Sequence, residues 1–460
     1  FLAYAKSPFL SPYDFTKEAD GKSHVTSFIA DADDYLNEAV GKKASIANPK
    51  GILDNGEAKN KNRADCTMIH LAVAPTWQPT NNFSLTERFA YTMQSFDEDY
   101  FTPLEGMPEY TKEGNASVTK NSKHSLFTKH DAIFSDTRAD WVILPNGAHR
   151  LEMFGGFRFM NDTFNSSHLS GDGTGTDKTP NMKNDLVNRK ILGSDTNWRS
   201  LAYYANVDYN FMEKYYLTGQ LSMETSSRFG KDADAGLNMF GVTWGLFPSI
   251  QGTWVISNEK WFRANPVVNR LKLNVGFESV GNDAMDNSAT LTYLSTAVLL
   301  QDGTSSIGLS QIGNSSLRWE TTNRFNVGLE GNFLNNRLHL RANYYHSKTN
   351  NLITLGTLAY VAGLTDYYTN DGSMTNTGYD IAFNAKVINQ KNFKFDFGAS
   401  LGHYKSKLKS LPQGQKYFDT NMYGGTIRSA VGGSAGVFYG YKTKGVYSTS
   451  DEATKDGYVI

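Results

Sequence analysis

Nowhere in these 460 residues do about 18 apolar side chains follow one another, yet segment after segment alternates apolar with polar residues. That pairing of facts excludes a helical membrane span on length and points to strands, whose side chains face opposite sides with period two. The stretch FNVGLEGNFLNNRLHLRANYYHSKTNNLI, Phe325 to Ile353, shows it clearly. Phe325, Val327 and Leu329, then Leu338, Leu340, Ala342 and Tyr344, share one face. Asn326, Glu330 and Asn332, then Arg337, His339, Arg341 and Asn343, share the other. Asn335 and Asn336 mark the turn between them.

A soluble sheet packed on a core gives the same alternation, so the rest of the chain has to arbitrate. Net charge is -1, leaving no basic excess for neutralising phosphates, and nucleic acid is set aside as a partner. The hydrophobic share is 39%, low for a chain of this length, while aromatics reach 13%, mainly 25 Tyr and 28 Phe. A β-barrel membrane protein tolerates that balance because it shows lipid only every second residue. Cys66 is the single cysteine, which excludes an internal disulfide and suggests no zinc site. The first residues, FLAYAKSPFL, show no signal-peptide pattern, so an exported protein is expected to begin upstream of them.

Up to Cys66 the chain is polar and irregular, and residues 1–65 are expected to be an extracellular loop region. Residues 66–460 are expected to be strands and their loops. Hairpins follow one another: CTMIHLAVAPTW with FSLTERFAYTM, DWVIL with HRLEMFGGFRFM, SLAYYANVDY with YLTGQLSM, and YDIAFNAKVI with FKFDFGASLGHY. Short turns alternate with much longer stretches, such as Asp97 to Asn121, Thr163 to Thr196 and Gly281 to Ser316. A sandwich lacks so strict a bias, whereas an outer-membrane barrel has short periplasmic turns and long extracellular loops. The apolar face is therefore expected to meet lipid. Tyr344, Tyr345, Trp244, Trp254, Tyr215 and Tyr216 are read as interfacial rings near strand ends. The fold class is all-β, a transmembrane antiparallel β-barrel.

Several stretches in this arrangement resemble the SusC/RagA-type TonB-dependent outer-membrane transporters of Bacteroidetes. They are SSRFG (Ser226 to Gly230), LFPSIQGTWVISNEKWF (Leu246 to Phe262), LKLNVGFESVGN (Leu271 to Asn282), NSSLRWETTNRFNVGLEGNFLNNRL (Asn314 to Leu338) and NDGSMTNTGYDIAF (Asn370 to Phe383). Their order and spacing over about half the chain carry the resemblance. Two motifs depart from it: Met223, Glu224 and Thr225 stand where the family has Arg-Asp-Gly, and Thr375 and Thr377 interrupt Gly372 to Gly378. The resemblance implies a barrel of twenty-two strands around an N-terminal plug, a SusD-like lipoprotein lid, energy delivered through the TonB complex, and a multi-pass place in the bacterial outer membrane. About thirteen strands can be counted, so a partial chain is expected, without the plug and the C-terminal strands.

The implied function is import of an oligosaccharide or oligopeptide, without catalysis. Within the same class, the alternative is a receptor for a siderophore or other small ligand. From another class, it is a secreted β-sandwich that binds carbohydrate or mediates adhesion. Ser170 to Asn181 resembles a calcium loop through Asp172 and Asp177, but lacks the closing Glu and is read as a polar loop; no cofactor is expected. Asp31, Asp33, Asp34 and Glu38 are read as a solvated acidic loop, and His70, His339 and His346 as polar strand residues. No nucleophile motif stands out. Aromatic platforms beside amides and carboxylates suit oligomeric ligands. Two loop clusters supply them: Tyr367, Tyr368, Asn370 and Asp371, and Tyr417, Phe418, Asn421 and Tyr423.

Overall fold

The computed structural model describes residues 14–17, 23–27, 62–102, 110–111, 118–119, 122–173, 181–182, 186–230, 232–233, 236–262, 267–298, 305–358, 364, 366–422, 425–442 and 449–455. Of the residues singled out above, Tyr423, Asp177 and the Asp31 to Glu38 group lie outside them.

Strands dominate. A small hairpin joins β1 (Asp14–Lys17) and β2 (Ser23–Ser27), followed by β3 (Arg63–Val73), β4 (Thr76–Thr80) and β5 (Phe83–Thr102). A second hairpin, β6 (Tyr110–Thr111) and β7 (Val118–Thr119), precedes β8 (Ser122–Leu144), β9 (His149–Asp172), β10 (Val187–Phe211) and β11 (Tyr215–Ser226). Next come β12 (Leu237–Met239), β13 (Val242–Val255), β14 (Val268–Asn282), β15 (Tyr293–Val298) and β16 (Ser305–Gln311). The chain continues through β17 (Glu320–Phe333), β18 (Leu338–Thr357), β19 (Asp366–Asn389) and β20 (Lys394–Ser410). A three-stranded group, β21 (Tyr417–Met422), β22 (Gly425–Ala430) and β23 (Val437–Tyr439), and a short helix, Ser450–Lys455, come last.

The chain forms two compact units. In the one comprising 76–87, 136–158 and 200–460, antiparallel neighbours run β20-β19-β18-β17-β14-β13-β11-β10-β9-β8-β5, with β4 beside β5 and β12 beside β13. In the other, comprising 1–75, 88–135 and 159–199, the order is β10-β9-β8-β5-β3.

Turn chemistry explains one end of the strands. Connections 81–82, 145–148, 212–214, 334–337 and 390–393 are short. The β17–β18 turn takes Leu334, Asn335 and Asn336 through left-handed backbone (φ 54, 59 and 60), which Asn tolerates and Leu resists. Connections at the opposite end are longer, among them 103–121 and 283–319. Several stretches expected to be loops are instead strand: β5 runs to Thr102, β9 to Asp172, β10 starts at Val187, and β15 and β16 occupy much of 281–316. Strands of 20 to 25 residues in β5, β8, β9, β10, β18 and β19 far exceed the roughly 9–11 that cross a bilayer.

Register makes the alternation a property of the sheet. Leu273, Leu329, Ala342, Ile381 and Leu401 lie opposite one another from β14 to β20, and Val275, Val327, Tyr344, Tyr379 and His403 form the next apolar row. Between them run Asn274, Gly328, Asn343, Asp380 and Gly402. Phe325 is 45% exposed and Leu401 64%, and the elements these strands touch are chiefly their sheet neighbours. Leaving a large apolar side chain in water instead of burying it costs about 1.5–3 kcal/mol, so a face of such rows needs a nonaqueous cover. Near the short-turn end it is fringed by rings: Tyr215 stacks on Trp254 at 6.5 Å, and Trp254 meets Trp261 at 6.3 Å. Glu259 anchors them, accepting hydrogen bonds from the Tyr215 hydroxyl (2.6 Å), Trp254 Nε1 (3.1 Å) and Lys214 Nζ (3.1 Å).

Two rings read as belt residues are placed elsewhere. Trp244 is 2% exposed and belongs to a buried cluster, with Nε1 donating to Met239 O. Tyr345 lies on the polar face, where its ring covers Gly378 so closely that a Cβ there would sit 2.7 Å from it.

The two faces predict unequal costs for one substitution. Val327→Arg is expected to destabilise the bilayer-inserted protein by about 2–4 kcal/mol, and Asn326→Arg far less, in denaturant titrations of reversible folding into vesicles.

Candidate functional site

The family-like motifs converge on a small core at the end of the strands away from the short turns. Ser226 Oγ donates to Asp283 Oδ2 at 2.7 Å, Arg228 Nη1 lies 3.2 Å from Asp283 Oδ1, and Arg228 Nε donates to Asn287 Oδ1 at 2.7 Å. Phe229 packs on Trp319, which meets Phe247 edge-on at 5.3 Å. Gly230 is required by closeness: a Cβ there would stand 2.3 Å from the Ser315 carbonyl oxygen. Asn314 Nδ2 donates to Tyr368 O at 3.0 Å. Asn370 accepts from Arg318 N and donates to Arg318 O and Asn351 O, each at 2.9 Å. These motifs therefore tie outer segments to one another.

Toward the short-turn half of β14 to β19, the polar face carries paired charges. Lys272 reaches Glu330 at 3.2 Å, Arg324 pairs with Glu278, Asn343 Nδ2 donates to Asp380 Oδ2 at 2.8 Å, and Arg341 lies 3.7 Å from the same carboxylate. Lys272, Arg324, Glu330, Arg341 and Asn343, with Gln251, Asn274 and Asn326, line a groove of about 400 Å³. Further along the same unit, Tyr204 donates to buried Asp136 at 2.6 Å and Arg158 lies 3.7 Å away from it. A face so furnished offers donors and acceptors to a hydrated polar solute without presenting one dominant charge.

The expected binding residues are strand residues, not loop residues. Tyr367, Tyr368, Asn370 and Asp371 lie on β19, where hydrogen bonding along β18 continues to Thr357 opposite Asp366. The structure brings these four together, but the Asn370 amide is committed to backbone, and Asp371 Oδ2 accepts from Thr369 Oγ1 at 2.9 Å. Tyr417, Phe418 and Asn421 lie on β21, all exposed. Tyr417 and Tyr439 sandwich the Arg428 guanidinium, with ring centroids 3.9 and 3.4 Å from it, and Asp419 grips that group through two hydrogen bonds of 2.7 Å. The guanidinium holds the Asp419 carboxyl below the usual aspartate range, and that carboxylate raises Arg428 in turn. Phe418, one residue along, falls on the opposite face of the small sheet.

Two features escaped the sequence reading. His168 Nε2 lies 2.9 Å from His124 Nδ1, and His124 Nε2 is 3.4 Å from Glu98, an arrangement spread over three strands that no local spacing signals. The charged pairs of the polar face were foreshadowed by their parity but not by their partners. Among the described residues, no group of three or more His, Cys, Asp or Glu is placed to hold a metal ion. His70, His339 and His346 bond to Thr92, Asn332 and Thr377.

Comparison with known proteins decides the family. The profile described as TonB dependent receptor-like, beta-barrel, matches residues 11–460. The chain belongs to this family. Among curated relatives, it is 28% identical over 323 residues to TonB-dependent receptor P26 of Formosa agariphila, spanning 67% of this chain and 31% of that one. It is 26% identical over 267 residues to TonB-dependent receptor SusC of Bacteroides thetaiotaomicron, spanning 56% and 25%. In fold it is similar to the RagAB peptide transporter, with a TM-score of 0.68 at 18% identity, covering 81% of this chain and 40% of that one. The chain thus spans about a third of the length of the curated relatives it matches. As a TonB-dependent receptor barrel homologous to receptors of the SusC/RagA type, it is an outer-membrane protein of a transporter family, and the family is not enzymatic.

Two predictions follow from the outer geometry of this receptor. Arg228→Met strips charged Asp283 of its guanidinium partner and is expected to lower the free energy of local opening at the outer core by about 2 kcal/mol, read by hydrogen exchange at 226–230 and 314–320. Because the Asp419 carboxyl is depressed in the folded state, its contribution is complete above about pH 3.9, the ordinary aspartate value, and fades as pH falls below it. Exchange protection in β21 and β22, corrected for intrinsic rates, should hold from neutral pH down to that point and then drop. Asp419→Asn should show reduced protection already at pH 7.

Proposed function

We propose that this chain forms part of the wall and outer binding surface of a TonB-dependent importer for an oligopeptide or oligosaccharide. Its proposed partners are a SusD-like surface lipoprotein and the TonB complex. The observation carrying this reading is the division of one continuous sheet face from the other: rows of exposed apolar side chains on one side, and on the other Lys272, Glu330, Arg341 and Asp380 in pairs around a polar groove. A wall of that kind separates hydrocarbon from a water-filled path. The relatives support the rest: SusC is a TonB-dependent receptor, and the RagAB complex is a peptide transporter. Residues 1–65 are proposed to belong to the extracellular side and 66–460 to the barrel.

Ligand contact is proposed at the outer end, through Tyr367, Tyr368 and Asp371 of β19 and through Tyr417, Phe418 and Asn421 of β21, with Tyr423 kept as a further candidate. Asn370 serves the first by bracing it. Exposed rings beside carboxylate and amide groups suit a peptide backbone or a sugar face, both of which combine flat apolar patches with hydrogen-bonding edges.

Uptake of labelled oligopeptides and oligosaccharides by the native cell tests the reading. Import of one class should disappear when the gene is deleted or TonB is depleted, and a surface lipoprotein should co-purify with the receptor. Lys272→Glu sets like charges opposite each other across β14 and β17, and should lower the stability of the folded barrel by roughly 1 kcal/mol. Import that persists without TonB would contradict the proposal.

A further inference from the structure

The short-turn end holds a second cavity, of about 660 Å³, bounded by the β17–β18 turn and by β18 and β19. Its walls are of two kinds. Val267, Leu334 and Val387 are large, apolar and about half exposed, and Leu338 continues them into the apolar face. Arg337 and Lys386 contribute two cations. Arg337 is held in place by donating from Nε to Lys386 O (3.3 Å) and from Nη2 to Val387 O (2.9 Å), which leaves the rest of its five N–H donors for other acceptors. Arg337 has no carboxylate within ion-pair distance among the described residues, and Lys386, although opposite Asp396 on β20, makes no ion pair with it. This contrasts with Lys214 and Arg150 at the same end of the sheet, which pair with Glu259 and Glu152.

Leu334 sharpens the point. Its backbone is left-handed, at φ 54, a conformation that side chains other than glycine resist. The side chain kept there is apolar and 50% exposed. Leu334 and Leu338 line the same cavity, so one hydrocarbon chain lying in it would meet both.

We propose that this cavity binds one phospholipid, with the phosphate on Arg337 and Lys386 and an acyl chain along Leu334, Leu338 and Val387. Three observations select this occupant. The aliphatic wall is continuous with the apolar rows of β17 to β19, the Arg337 guanidinium beside it makes no ion pair among the described residues, and the cavity lies at the short-turn end of the strands. Guanidinium and ammonium groups are the ordinary protein ligands of phosphate, the first through a planar fork. Such a lipid would fasten the β17–β18 turn to β19 from the membrane side.

The test uses the full-length receptor in dodecyl maltoside, with retained lipid counted by native mass spectrometry. Phosphatidylglycerol should be retained over diacylglycerol of the same chains by about tenfold, the effect of one charge-assisted contact. Equal retention by the unmodified receptor would overturn the proposal whatever the variants do. Arg337→Gln with Lys386→Gln should lower phosphatidylglycerol retention about tenfold, while Arg337→Lys with Lys386→Arg keeps it. Unchanged retention in the first variant, confirmed folded by its heat-modifiable migration, would also overturn it. Glycerol phosphate at matched concentration should fail to displace the lipid. Displacement would show a site for free phosphate and would overturn the assignment to phospholipid.

Discussion

Hydrocarbon offers no hydrogen bonds, and that single property organises this chain. A strand entering it must find partners for every N–H and C=O on its neighbours, at several kcal/mol for each group left unpaired. The long antiparallel ladders supply those partners, leaving the side chains to settle what each face touches. Because they alternate, one sheet can meet lipid through Leu273, Leu329, Ile381 and Leu401 and water through Asn274, Asn343 and Asp380 only one residue away. There is little conventional core in consequence. Among the described residues, the largest fully buried side chains are Trp244, Phe101 and Leu317. Trp244 and Leu317 belong to the end of the strands away from the short turns.

The two ends of the strands solve different problems. At the short-turn end, Tyr215, Trp254 and Trp261 make a boundary layer, and Glu259 fixes two of those rings through their polar atoms. Hydrogen bonding from Tyr215, then from Lys214, holds the Glu259 carboxyl below its ordinary range, so it remains an acceptor at neutral pH. At the far end both faces meet water, and the strand extensions need another source of order. Arg228, Asp283, Trp319 and Asn370 provide it by packing and by bonds to backbone. A binding surface built on such braced strands is better positioned than one on free loops.

The phase of the strands was legible in the sequence, because lipid and water impose opposite demands on neighbouring residues. Where that contrast ends, so does the signal. The upper part of β9, NDTFNSSHLSGD, is strand, but with water on both sides no alternation is required and it read as loop. Tyr344 and Tyr345 show the same limit at single-residue scale, since adjacent rings in one strand face different surroundings. The candidate binding residues were found by composition, while Asn370's true employment was hidden. Its three backbone partners come from segments 19 and 52 residues away. Trp244 misled for a similar reason, its burial depending on a turn and a neighbouring strand that chain order does not bring to notice.

The most direct measurement places nitroxide labels one at a time along β17 and β18 of the full-length receptor in bilayers and compares relaxation by oxygen with relaxation by a water-soluble nickel chelate. Oxygen, which concentrates in hydrocarbon, should dominate at Phe325, Val327, Leu329, Ala342 and Tyr344, and nickel at Asn326, Gly328, Glu330, Arg341 and Asn343. Accessibility to nickel that is equal at both sets, or low to both reagents throughout, would show that protein or water and not lipid covers the apolar face.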